Sequence, residues 1–378
     1  MKKRFLAALM STAMVATLLV GCGEAAPAEA EAPATEEAAT EETAEEAAAE
    51  EGAEAAEEAT EAAGGAEGKT FAIVPKSAGN PFNEKEVEGF QEVIEAAGGT
   101  CVVNYPEEAT ADAQITVINS LISQGVDSIA VAANDANALQ AVLMDAQDAG
   151  IKVSTFDSDA AADARMTFAN QAGVQEIGQA LCDAVLDISG GEGQWAIVSA
   201  TSQATNQNAW IDAMKEIMAS DAKYEKLELV DIQYGDDEPE LSTTVTQALL
   251  TNYPDLKVIC APTTVGIAAA AKVLQDQKSS VKLTGLGLPS EMAEYIGDDD
   301  AHSCPYMYLW NPIDLGRLSA YISIALVNEE ITGAIGDTFS CDLADYELVD
   351  NGSGASQVIL GQPFAFTPEN IEEWKVVY

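Results

Sequence analysis

From residue 69 to the carboxyl end, short apolar runs alternate with helix-length amphipathic stretches. The runs predict strands near residues 70–74, 100–104, 128–132, 152–156, 196–200, 227–233, 258–261 and 283–287. The amphipathic stretches predict helices near 83–97, 111–124, 138–150, 175–189, 208–220, 241–252, 266–277, 289–296 and 315–328. Gly125, Gly150 and Gly190 stand at the ends of three of these, as helix-closing glycines do. Alternation of strand and helix is the signature of βαβ units, and so of parallel sheets. The first four strands with three helices make one open sheet, and the next four with their helices make a second of similar size. The expected fold is α/β: two similar open parallel-sheet, Rossmann-like domains with a hinge and an interdomain cleft.

Ahead of residue 69 the pattern is of another kind. Lys2, Lys3 and Arg4 precede an almost unbroken apolar stretch from Phe5 to Gly21, the charged and apolar regions of a secretory signal. The stretch is shorter than the ~20 residues of a spanning helix, and no basic cluster follows it. Leu19-Val20-Gly21-Cys22 resembles the lipobox of bacterial lipoproteins, which implies that Cys22 is lipidated and becomes the new amino terminus. Residues 23–68 are almost wholly Ala, Glu, Thr, Gly and Pro, with no aromatic residue and no aliphatic larger than alanine. Such a segment cannot build a core, and its like charge predicts a disordered acidic tether, on the order of 40 Å long as a coil. Residues 1–22 are thus expected to be a lipoprotein signal and 23–68 a tether. Together they would hold a folded part at the outer face of a bacterial cell membrane.

The formal net charge of −46 is carried by the tether and the folded part alike, and a field of that sign repels nucleic acid. Five cysteines follow Cys22, at positions 101, 182, 260, 304 and 341, widely spaced and without a CxxC pair. Their pattern predicts mostly small buried apolar residues, with one or two bridges at most.

In an open parallel sheet, ligands bind beyond the carboxyl ends of the strands, where neighbouring connections diverge. Lys76-Ser77-Ala78-Gly79-Asn80-Pro81-Phe82 follows the first strand, Asn134-Asp135 the third and Asp157-Ser158-Asp159 the fourth. In the second half, Thr201-Ser202-Gln203 leads to Asn206-Gln207, and Pro262-Thr263-Thr264 and Leu288-Pro289 follow later strands. Carboxylates, amides, hydroxyls, one lysine and an aromatic suit a sugar: planar donors and acceptors for hydroxyls, and a ring for the C–H face. Taken singly, Asp157, Asn206 and Ser290 read equally well as turn residues or helix N-caps. Their convergence is what argues for a site.

Several of these stretches also carry a family likeness. They are Phe71-Ala72-Ile73-Val74-Pro75-Lys76, Phe156-Asp157-Ser158-Asp159, Gln207-Asn208-Ala209-Trp210, Ala261-Pro262, the segment from Leu309 through Trp310 and Asn311 to Gly316, and Leu360-Gly361-Gln362-Pro363-Phe364-Ala365-Phe366. With them, the chain from about Lys69 onward resembles the periplasmic sugar-binding proteins of the type I fold, and in particular the branch of rhamnose-binding and autoinducer-2-binding proteins of ABC importers. The resemblance to autoinducer-2 receptors implies ligand contacts at Lys76, Asp157, Gln207 and Pro262. Two positions depart from it: Asn206 stands where those receptors have an aspartate, and Thr264 where they have an alanine. A site built on hydrogen bonds penalises unpaired groups, so the exchange favours a sugar, a deoxyhexose such as rhamnose or a pentose. The wider ribose-type family implies a stacking aromatic at Asn80-Pro81-Phe82 and places Trp310 and Asn311 in a segment that crosses between domains. The full expected ligand set is Lys76, Asn80, Phe82, Asp157, Asp159, Asn206, Gln207, Pro262, Thr264, Trp310 and Asn311.

No catalytic constellation competes with this reading. The one histidine, His302, stands beside Asp298-Asp299-Asp300 in what reads as an exposed acidic loop, and Asp157 and Asp159 are too near one another to flank a scissile bond from opposite sides. The expectation is a monomeric binding protein, not an enzyme, with no metal and no cofactor. It would deliver a sugar to an ABC permease; alternatives are an autoinducer-2 receptor and a sensor that presents its loaded form to a membrane signalling protein. The expected lobes are residues 69–172 plus 311–345 and residues 173–310 plus 346–378, with hinge crossings near 170–173, 310–311 and 345–349.

Overall fold

A computed structural model describes residues 65–378. The signal segment, Cys22 and the tether as far as residue 64 lie outside the described residues. The first part of the chain runs β1 (Thr70–Val74), α1 (Pro81–Ala96), β2 (Thr100–Val103), α2 (Ala111–Gln124), β3 (Ser128–Val131), α3 (Gln140–Asp148), β4 (Lys152–Phe156) and β5 (Thr167–Asn170). The middle runs α4 (Val174–Ile188), β6 (Gly193–Ser199), α5 (Thr205–Ser220), β7 (Leu227–Tyr234), α6 (Pro239–Asn252), β8 (Leu256–Ala261), α7 (Thr264–Asp276), β9 (Lys282–Gly285), α8 (Pro289–Met292) and β10 (Met307–Leu309). The chain returns through α9 (Pro312–Val327), β11 (Thr338–Ser340), β12 (Asp345–Glu347), β13 (Val349–Asp350), β14 (Ser356–Ile359), β15 (Phe364–Phe366) and α10 (Ile371–Trp374).

Two sheets result. The first has the order β13-β14-β5-β4-β3-β1-β2 and is parallel except for the β13–β14 pair. Its centre is buried on both faces: Phe71, Ala72, Ile73 and Val74 are fully enclosed, which is why β1 reads as a continuous apolar run and not an alternating one. The second has the order β7-β6-β8-β9 and is parallel throughout. The hairpin-like pair of β10 and β15 extends this second lobe through the bridge between Leu286 and Tyr308.

The chain passes between the lobes three times, at 171–173, at 310–311 and at 360–363. The third crossing corrects the expectation of one near 345–349, and residues 349–359 belong to the first sheet and not to the second lobe. The reason is β14, a four-residue strand that lies parallel to β5, with Val358 opposite Ala169 and fully buried. First and third crossings then run side by side: Leu360 N donates to Asn170 O at 2.8 Å and Gly361 N to Gln171 O at 3.3 Å. A smaller correction concerns the tether's end. Ala66 is fully buried and its N–H donates to Ala97 O at 2.9 Å, so residues 66–68 already pack on the first lobe.

Helix starts also differ from expectation, most of them toward the amino end. α1, α5, α6, α7 and α9 begin two or three residues early, at Pro81, Thr205, Pro239, Thr264 and Pro312, whereas α3 begins two residues late, at Gln140. Two of them carry an asparagine N-cap followed by proline in the first turn, a start signal that periodicity alone does not register. The consequence is functional: Asn206, Gln207 and Thr264 sit in first helical turns instead of loops.

Helices α1 and α9 lie on the first sheet and touch backbone to backbone. A Cβ on Gly316 would strike the carbonyl oxygen of Glu86, and one on Gly89 would strike that of Ile313. Both helices start at the cleft, α1 with Asn80-Pro81-Phe82 and α9 directly after the second crossing, so their contact fixes two edges of the site together.

Candidate functional site

The ends of β1 and β4 deliver Lys76 and Asp157 from the first lobe, and the first turn of α5 delivers Asn206 and Gln207 from the second. Lys76 Nζ donates to Asn206 Oδ1 at 2.8 Å and to Gln207 Oε1 at 3.4 Å, and pairs with Asp157 Oδ2 at 3.4 Å. Asn206 Nδ2 donates to Asp157 Oδ1 at 3.2 Å. Four side chains, two from each lobe, form one buried polar hub that spans the cleft. Asp157 occupies the left-handed region with φ 54°, uncommon for a residue with a Cβ and typical of sites that hold a side chain in a set direction.

A cavity of about 30 Å³ adjoins the hub. It is smaller than the pockets that hold small molecules, so the lobes must part to admit one. Its polar lining residues are Lys76, Asn80, Asn83, Asp157, Gln207, Asp237, Thr263 and Thr264; its apolar ones are Phe82, Trp210, Pro262, Leu286, Leu309 and Trp310. The Trp310 ring stands edge-on to Phe82, with centroids 6.2 Å apart, and at 5.7 Å from Trp210, so one aromatic face is assembled from α1, the second crossing and α5. Trp310 Nε1 is buried without a hydrogen-bond partner, a donor open to an acceptor on a bound molecule. A lining that joins hydrogen-bonding groups to an aromatic cluster fits a polyol ring: the polar groups pair hydroxyls and the rings cover C–H groups.

Of the residues expected from sequence, Lys76, Asn80, Phe82, Asp157, Gln207, Pro262, Thr264 and Trp310 line the cavity, and Asn206 joins it through the hub. Two do not. Asp159 is held by Arg165, with Nη2 to Oδ2 at 2.6 Å and Nε to Oδ1 at 2.9 Å, while Arg165 Nη1 donates to Ser356 O. This carboxylate therefore anchors β14 to the first lobe. The φ of Asp157 ends the extended run, and so the two aspartates of Asp-Ser-Asp part company. Asn311 caps α9: its Oδ1 accepts from Ile313 N at 3.0 Å and its Nδ2 donates to Asp314.

Asn83, Trp210, Asp237, Thr263, Leu286 and Leu309 line the cavity without having been expected. Asp237 had a signal, because it follows β7 just as the other polar residues follow their strands; its carboxylate accepts from Thr263 Oγ1 at 2.7 Å. Trp210 lies one turn beyond Gln207 on α5, on the same helix face.

Burial raises the carboxyl of Asp157, and Lys76 works against that rise. Glu86, one turn after the cavity residues Phe82 and Asn83 on α1, is pushed well above the ordinary glutamate range, by burial first and by the charge of Asp157 second. The sign for stability follows. A carboxyl that binds its proton more tightly when folded contributes in full below its unfolded value, and that contribution is lost as pH climbs through the folded value. Glu86→Gln is therefore expected to melt at a higher temperature than the parent at pH 8 and at the same temperature near pH 4; equal melting curves at both values would place an ionised Glu86 in the fold at no cost.

The five cysteines of the described residues are free thiols, with Cys182, Cys260 and Cys304 buried and Cys101 and Cys341 half-buried. Burial lifts Cys182 to about 12, so these thiols act as packing groups.

Two open α/β lobes, three crossings and a polar hub closed over a cavity define a binding protein of the two-lobed, cleft-closing kind. Residues 71–331 match the model of the periplasmic binding protein domain, and the chain belongs to that family, one of extracytoplasmic solute-binding proteins and not of enzymes. A solved structure of an ABC transporter solute-binding protein from Clostridium phytofermentans, with L-rhamnose bound, is 58% identical and superposes with a TM-score of 0.81 over 82% of this chain and 99% of that one. The fold also matches that of LsrB from Clostridium saccharobutylicum in complex with AI-2, at 23% identity and a TM-score of 0.75 over 81% of this chain and 99% of that one. Among curated proteins, the D-ribose/D-allose-binding protein of Pseudomonas aeruginosa is 28% identical over 164 residues, 41% of this chain and about half (49%) of that protein's length.

Proposed function

We propose that this protein captures a 6-deoxyhexose of the L-rhamnose type in its interdomain cleft and delivers it to an ABC permease, from an outer-face position held by a lipid on Cys22. The observation that carries the reading is the mixed lining of the cavity. Lys76, Asn80, Asp157, Gln207 and Asp237 offer partners for hydroxyls, while Phe82, Trp210, Trp310, Leu286 and Leu309 offer the apolar surface that a sugar methyl group needs. The L-rhamnose held by the 58% identical protein supports the same ligand class.

Capture is a population shift between open and closed forms. A ligand stabilises closure only through contacts it makes to both halves, which assigns Lys76, Phe82 and Asp157 to one side of the grip and Gln207, Trp210 and Thr264 to the other. The closed form is then what a monomer presents to the permease. Thermal melting against L-rhamnose, L-fucose, ribose, xylose, galactose, glucose and autoinducer-2 tests the reading. A cognate sugar at a hundred times its dissociation constant adds about 2.7 kcal/mol, a shift of several degrees. A shift with hexoses that carry a 6-hydroxyl, equal to that with L-rhamnose, would end the methyl-wall argument.

The resemblance to autoinducer-2 receptors supplies a second test. Asn206→Asp combined with Thr264→Ala adds a carboxylate to the hub and removes a hydroxyl from the cavity wall. Competition binding is expected to move preference from L-rhamnose toward autoinducer-2, and an unchanged preference would place specificity elsewhere in the lining.

A further inference from the structure

Glu86 lies one turn beyond Phe82 on α1, on the face that carries Phe82 and Phe90 into the core. It is fully buried, and neither carboxylate oxygen has a hydrogen-bond partner. An anion in that state is expensive. The elements around it leave few charges to answer it. On α9, Asp314 engages Asn311 and Arg317, and Arg317 engages Glu92. On its own helix, Glu84 shares with Glu86 an influence on Tyr105, which follows β2. Asn83, one turn before Glu86, lines the cavity with Lys76 and donates from Nδ2 to Ser77 O at 3.0 Å, so this face of α1 abuts the hub, and the charges of Asp157 and Lys76 bear on Glu86.

We propose that Glu86 is a positioning residue for Lys76 and that ligand capture is linked to a proton on its carboxyl. Neutral, Glu86 leaves the ammonium free to bridge Asp157, Asn206 and Gln207 across the cleft. Ionised, it competes for that ammonium from within the first lobe, and the contacts to Asn206 and Gln207 weaken. The closed form therefore holds the proton more tightly than the open form and draws it from solvent on closing. Affinity then falls as pH rises through the transition of Glu86. The inference rests on the cleft being the ligand site; its raised carboxyl, with burial as the leading cause, supports it.

The test is the dissociation constant of L-rhamnose, measured by calorimetry on the full chain from pH 5.5 to 9.5, for the parent and Glu86→Gln. The amide matches the neutral carboxyl in shape, so Glu86→Gln is expected to keep its acid-side affinity at every pH, while the parent weakens about tenfold across the range. A flat parent profile, or the same slope in Glu86→Gln, overturns the proposal. In two buffers of different ionisation enthalpy, on the declining limb, the parent is expected to take up a proton on binding; none taken up overturns it without any variant. If L-rhamnose binds at no pH, the ligand reading fails alone, and Glu86 is judged on closure in the ligand-free chain. Small-angle scattering is then expected to report a radius of gyration that grows with pH in the parent but not in Glu86→Gln, and a constant radius in the parent overturns the proposal.

Discussion

Asp157→Ala is expected to weaken sugar binding by about 2 kcal/mol or more, roughly thirtyfold, because it removes a charged acceptor from the cavity wall and unties the hub. Asp157 pairs with Lys76 Nζ at 3.4 Å and accepts from Asn206 at 3.2 Å, so one truncation leaves both partners short of a hydrogen bond. Taking one member from a buried ion pair ordinarily costs the fold ~3 kcal/mol or more. Here the amide oxygens of Asn206 and Gln207 still receive the Lys76 ammonium, and Asp157 is itself held at a desolvation cost, so the loss of stability is expected to be smaller than the loss of affinity. Asp157→Asn separates charge from shape: it keeps an acceptor and is expected to bind with intermediate affinity. Calorimetry with L-rhamnose and urea titration of the free protein read the two effects apart. An unchanged dissociation constant in Asp157→Ala would take this residue out of the site.

The largest loss of stability is expected from Gly316→Ala. The added methyl would meet the Glu86 backbone oxygen, and a backbone group cannot rotate away as a side chain can. The helices must separate, at a cost of about 3 kcal/mol or more. For about 310 folded residues, that lowers the melting temperature by roughly 5 °C. Binding is expected to weaken as well, since α1 opens with the Asn80-Pro81-Phe82 segment and α9 follows Trp310. A melting temperature within a degree or two of the parent would mean that α1 and α9 slide apart freely and do not set the site's edges.

Strand exits were legible in the sequence because two strong local signals coincide there, an apolar run that stops and polar residues that begin. Lys76, Asp157, Asn206 and Pro262 were found in that way. Asp159 looked equal to Asp157 because spacing carries no information about Arg165, six residues downstream, which takes its carboxylate. β14 left almost no trace: four residues, Ser356 to Ile359, become a strand only because β5 lies ready to pair with them in space. The third crossing was misplaced for the same reason. Glu86 did leave a mark, a glutamate at the i+4 position between Phe82 and Phe90 on an otherwise apolar face, where an anion has no business in a helix packed on a sheet.

The segmentation of the lobes bears on how the protein is made. The second sheet is one uninterrupted stretch, residues 193–285, whereas the first must collect α9 and β14 from the last seventy residues of the chain. During synthesis and export the second sheet can close on itself while the first still lacks an edge strand and a covering helix, leaving β5 with unpaired backbone groups and an apolar flank. The amino-terminal lobe is thus completed last, and the exported chain depends longest on being kept from aggregation through the half that emerges first.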